Sequence, residues 1–165
     1  MPRARAGDVL PVTIKQKNPG WLEDLQKKYK SNKQLAIGYP IGTTGTSTKY
    51  PDGTPVLLVA AANNFGAPSR GVPARDFMDQ GAVRALEKTG PITAALIPKV
   101  NAGGMTLEQL LDTLGPVAVA EFQQTIVDFD DPANSDATIK AKGSSNPLVD
   151  TSLMNQTLTH IVRSK

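Results

Sequence analysis

The sequence predicts an α+β fold: a small antiparallel sheet from N- and C-terminal strands packed against several central helices. Two observations carry this. Strand-like stretches lie toward both ends of the chain, and helix-period stretches with caps fill the middle. A third bounds the size: 165 residues, 39% hydrophobic and 20% charged, suit one domain with a true core. With 14 Gly, 13 Pro and 5% aromatics, that core is modest and laced with loops. The expected organisation is an arm over 1–8 and a single domain over 9–165, with a Gly/Thr-rich loop at 40–54.

VLPVTIKQK reads as a first strand through Val9, Val12 and Ile14, with Pro11 placing it at an edge or bulge. In NPGWLEDLQKKYKSN, Asn18 caps a helix, Pro19 opens it, and Leu22, Leu25 and Tyr29 recur at helical spacing. KQLAIGYP is the next strand, with Leu35, Ile37 and Tyr39 on one face. The loop IGTTGTSTKYPDGTP lacks the spacing of a phosphate-binding loop, so it reads as a hairpin tip or interaction loop.

TPVLLVAAANNFGAP is a helix capped by Thr54, opened by Pro55 and ended by a left-handed Gly66. A loop through Arg70 and Pro73 leads to a helix in RDFMDQGAVRALEKTG, and GPITAALIPKVNAGG gives a third, bent or broken at Pro98. Thr106 and Gln109 form a capping box, and Gly115-Pro116 divides the run that follows into two helices. A short helix is expected over Asp136–Lys142, a turn capped by Asp150 follows, and LTHIVRSK closes the chain as a strand beside the first two.

Catalytic and metal chemistry find little footing. The absence of cysteine excludes disulfides, thiol nucleophiles and cysteine zinc sites. His160 is the only histidine; Ser152, His160 and Asp150 can be drafted into a triad, but only geometry defines one, and an ordinary strand histidine is the simpler reading. Asp128, Asp130 and Asp131 depart from the EF-hand pattern and read as a solvated helix end. Arg70, Arg75 and Arg84 suit phosphate, or ion pairs with Asp76 and Asp79. The reading is of a non-enzyme with no cofactor and no metal. With no signal-like or membrane-spanning apolar run, a soluble protein made in the cytoplasm is expected.

Charge is uneven. Residues 1–50 carry nine Lys/Arg against three Asp/Glu, whereas residues 51–165 carry nine against twelve. A basic end and an acidic body point to contacts with nucleic acid or between copies, and a solvated Lys-rich helix accounts for the lysines equally well. A small DNA-binding protein using its basic N-terminal portion is therefore the alternative function, although no named DNA-binding motif is present.

Two stretches together resemble a known family. Asn63-Asn64-Phe65-Gly66 precedes Pro73-Ala74-Arg75-Asp76-Phe77. Lys142-Gly143-Ser144 and Asn146-Pro147-Leu148-Val149-Asp150-Thr151-Ser152-Leu153 lead into the last strand. In this order they resemble the tail-completion, neck and virion-morphogenesis proteins of tailed bacteriophages, including Mu-like phages. Asn64 stands where that family often has Glu, Asp76 where it often has Pro, and Ser152 where it usually has Gly.

The resemblance implies a structural virion protein, assembled in the host cytoplasm, that forms or completes a ring at the head–tail junction. The ring would be sixfold or twelvefold, would contact other neck and tail proteins, and would pass DNA through its lumen without sequence-specific binding or membrane contact. Arg3, Arg5, Asn64, Arg70, Arg75, Asp76, Asn146 and Asp150 are the expected interface residues. Phe65, Gly66, Pro73, Phe77, Pro147 and Leu148 are the expected structural anchors.

Overall fold

A computed structural model describes residues 20–39, 48–149 and 152–164. Six helices and two strands follow one another as α1 (Trp21–Tyr29), β1 (Lys33–Gly38), α2 (Val56–Phe65), α3 (Phe77–Asn101), α4 (Leu107–Asp128), α5 (Asp136–Lys142), α6 (Leu153–Thr157) and β2 (Thr159–Ser164). A short 3₁₀ turn, Pro68–Arg70, lies between α2 and α3. The fold is the expected α+β arrangement. β1 and β2 pair antiparallel, with Leu35 opposite Val162 and Ile37 opposite His160. The expected first strand over 9–14, the arm over 1–8, the Asn18 and Pro19 helix start and the Asp150 cap lie outside the described residues.

The antiparallel pair α3 and α4 is the spine of the molecule, and the sheet lies against α4. Both helices are longer than the sequence implied. α3 runs unbroken through Pro91 and Pro98, and α4 through Gly115 and Pro116. A proline removes one N–H and frees the carbonyl four residues earlier. All three prolines sit on exposed positions, and packing between the two long helices holds each together. Gly115 has a different task from a breaker: a Cβ there would overlap the His160 ring, so glycine makes room for β2 against α4.

Side-chain caps fix the starts of α4 and α5. The Thr106–Gln109 capping box is present, with the Gln109 N–H donating to Thr106 Oγ1 at 3.1 Å and the Thr106 N–H to Gln109 Oε1 at 2.9 Å. Ser135 accepts from the Thr138 N–H to start α5. As described, α1 runs from Trp21 behind Gly20. α2 opens at Val56 behind Pro55; Thr54 instead donates its N–H and hydroxyl to the Asp52 carboxylate, both at 2.9 Å. Those two bonds hold the Asp52 carboxyl below the usual carboxylate range.

The main core gathers Val56 and Ala60 of α2, Phe77 and Ala85 of α3, and Phe122 and Ile126 of α4, closed by Leu148, Met154 and Leu158. A smaller cluster of Val100, Leu110 and Leu114 seals the far end of the α3–α4 pair. No described helix is long and apolar enough to cross a membrane.

Candidate functional site

The two stretches that carry the family resemblance converge on Arg75. Its side chain is 4% exposed and reaches three neutral acceptors: Nε donates to the Pro132 carbonyl at 3.0 Å, Nη1 to Asn63 Oδ1 at 3.1 Å, and Nη2 to Asn134 Oδ1 at 3.3 Å. The Arg75 N–H also donates to the Asn63 carbonyl at 2.8 Å. Asn134 in turn donates to the Asn146 carbonyl at 3.2 Å. Asn146 accepts at Oδ1 from the Leu148 and Val149 N–H groups, both at 2.8 Å, and donates to the Val127 carbonyl at 2.7 Å. Three segments of the chain thus meet at one guanidinium, and Asn134 links a fourth.

No carboxylate bonds Arg75 among the described residues. Burial without a counter-ion lowers its pKa from the usual arginine value. Arg75 was expected at a partner interface; its burial and its three bonds make it an internal clamp. Asn64 is corrected likewise. It is 7% exposed, and its Oδ1 accepts the Met78 N–H at 3.0 Å. A side chain on α2 therefore caps the first turn of α3, a task that Asp76 beside it leaves undone, since Asp76 binds Gln80 Nε2 at 2.9 Å instead.

Phe77 is fully buried, and Pro147 and Leu148 are buried as expected of anchors. Pro73 is exposed, so it stiffens the loop without anchoring it. Gly66 has φ 80° and ψ 160°, which is a positive-φ residue but not the left-handed helical ending expected. A Cβ there would come within 2.9 Å of the Ala74 nitrogen, so only glycine lets the two limbs of the loop approach. Phe65 overturns its expected role: it is 78% exposed.

Around Phe65 opens a groove of about 1190 Å³, lined by α2, the 3₁₀ turn and the loop into α5. Arg70 stands exposed on its wall and makes no ion pair among the described residues. Arg3, Arg5 and Asp150 lie outside the described residues.

The remaining charged candidates find protein partners. Arg84 pairs with Asp128 at 2.7 Å rather than with Asp76 or Asp79. That bond, with a second from Gln124, holds the Asp128 carboxyl below the usual range. His160 Nε2 faces Asp112 Oδ1 at 3.2 Å, not Ser152. Lys28 donates to the Asn101 carbonyl and Lys33 pairs with Glu108 at 3.3 Å. Among the described residues no three His, Cys, Asp or Glu side chains group to hold a metal ion.

Sequence reasoning missed Asn63, Pro132 and Asn134 as the acceptors around Arg75. The Asn63-Asn64 pair was visible as part of a motif; nothing local marked Pro132 or Asn134, which lie 57 and 59 residues from Arg75. No family model, curated protein or solved structure matches this chain.

Proposed function

We propose that this chain is a structural protein of a tailed-bacteriophage virion, forming or completing a ring at the head–tail junction through which DNA passes. The observation that supports it is the convergence on Arg75. The two separated stretches that resemble neck and tail-completion proteins are joined by the Arg75–Asn134–Asn146 bonds into one rigid unit. Residues matched by resemblance thus share a single structural task, which chance similarity of loops gives no reason to expect.

On this reading the protein works by shape. The Arg75 clamp fixes the loop between α2 and α3, and the loop holds Phe65 and Arg70 outward for neighbouring proteins. A DNA-binding role based on the N-terminal lysines draws less support, since Lys28 and Lys33 are engaged by Asn101 and Glu108.

The test is mass and shape together. Light scattering on the purified protein, with electron-microscopy class averages of the protein and of phage particles, should give closed rings, or the chain as part of a ring at the particle neck. A chain that stays monomeric at high concentration and is missing from particles contradicts the proposal.

A further inference from the structure

The sequence holds one Asp-Gly step, Asp52-Gly53, and no Asn-Gly step. An Asp-Gly step is open to self-modification, because glycine has no Cβ to keep its nitrogen away from the preceding carboxyl. In that reaction the Gly53 nitrogen attacks Asp52 Cγ, the nitrogen gives up its proton, the carboxyl gives up its hydroxyl, and the two leave as water. The product is a five-membered succinimide. Water opens it at the Asp52 side-chain carbonyl to restore aspartate, or at the main-chain carbonyl to give isoaspartate. The mass is unchanged, but the backbone of the isoaspartate form is one methylene longer.

Asp52 is exposed, so burial does not shield it; local hydrogen bonds do. Residues 51–53 form the loop of a short hairpin, in which the Tyr50 N–H donates to the Thr54 carbonyl at 2.9 Å and Lys49 bridges Pro55. Gly53 turns that loop at φ 84° and donates its N–H to the Tyr50 carbonyl at 2.9 Å. Both carboxylate oxygens of Asp52 are taken by Thr54: Oδ1 by the backbone N–H and Oδ2 by the hydroxyl, each at 2.9 Å. These bonds oppose different parts of the reaction. The Tyr50 carbonyl engages the nitrogen that would attack. Thr54 pins the carboxyl and favours its ionised form, which has no hydroxyl to shed.

We propose that Thr54 guards the Asp52-Gly53 bond, and that this loop is a latent modification site, converted to isoaspartate when the hairpin comes undone. Thr54 stands at the start of α2 without capping it, and its hydroxyl bonds the Asp52 carboxylate instead. The site matters to what surrounds it. Tyr50, Pro51 and Asp52 lie on the wall of the groove around Phe65. The Val56 N–H that begins α2 donates across the same hairpin to the Thr48 carbonyl at 2.8 Å. An added methylene between residues 52 and 53 disturbs the spacing that sets both.

Cleavage by trypsin after Lys49 and Arg70 releases residues 50–70 as one peptide. In it, isoaspartate at position 52 separates by chromatography without a change of mass, whereas deamidation of Asn63 or Asn64 shifts the mass. Folded wild type held for weeks at neutral pH should form isoaspartate at 52 at least tenfold more slowly than the same protein in guanidinium chloride. Thr54→Val keeps the backbone N–H and the shape but loses the hydroxyl, and it should be at least several-fold faster than folded wild type, the scale of one charge-assisted bond. Thr54→Ser restores the hydroxyl and should return the slow rate. A denaturation midpoint for each variant establishes that it is folded during the incubation. Equal rates for folded and unfolded wild type, Thr54→Val at the folded wild-type rate, or Thr54→Ser as fast as Thr54→Val would each overturn the proposal.

Discussion

Asn64 and Phe65 are adjacent in the chain and belong to opposite regions of the molecule. Asn64 is 7% exposed and caps α3 from within; Phe65 is 78% exposed and contacts little of its own subunit. The same split separates Arg75, clamped by three neutral acceptors, from Arg70, exposed on the groove wall. One motif thus has an inward half that builds the loop and an outward half that the isolated subunit does not use. A residue's presence in a motif says nothing about which half it serves.

The inward half should break folding, and Phe77 most of all. Phe77→Ala empties the centre of the main core and should cost about 3–5 kcal/mol, read as a lower midpoint in urea unfolding. Arg75→Ala comes next. It strands the acceptors on Pro132, Asn63 and Asn134, and each buried group left unpaired costs about 1–3 kcal/mol where water cannot reach it. The same denaturation series should therefore place Arg75→Ala among the folding variants, not among those that spare the fold and harm only assembly.

Asn64→Ala removes the cap on Met78 and should cost about 1 kcal/mol, sharpening the contrast with its neighbour. Ser152 gives a change of opposite sign. It is the N-cap of α6 and the one non-glycine residue with positive φ among the described residues, at φ 60°. Ser152→Gly should raise the melting temperature, with a gain of about 1 kcal/mol; a lower melting temperature would show that the serine side chain holds the turn.

The smallest effect concerns Asp128, which is exposed and held by Arg84 and Gln124. Its folded pKa lies below the ordinary value, so its contribution to stability is present above that ordinary value and disappears as pH falls through the depressed one. In Arg84→Ala, the Asp128 carboxyl resonance should titrate at higher pH than in the wild type; an unchanged midpoint would remove Arg84 as the cause.

Much of the fold was legible because its signals are local. The Thr106–Gln109 box, the α5 segment and the alternation of Leu35 and Ile37 all lie within a few residues, where sequence spacing reports geometry. The failures came where distant packing prevailed. Pro91, Pro98 and Gly115-Pro116 carry strong breaker signals, yet α3 and α4 pass through them because each helix is held along its length by the other. The site was half legible. The motif located Arg75, but its acceptors come from the loop into α5, which no spacing rule connects to it. The outward face of α2 was hidden for another reason: a helix with no charged residue offers no polar side by which to orient it.

The division between the two halves is tested most directly by radical footprinting of side chains in the assembled protein and in dilute monomer. Phe77 should be protected in both states, because its own subunit buries it. Phe65 should be readily oxidised in the monomer and protected at least several-fold on assembly. Equal oxidation of Phe65 in the two states would contradict the account, since the most exposed large apolar side chain among the described residues would then face no neighbour.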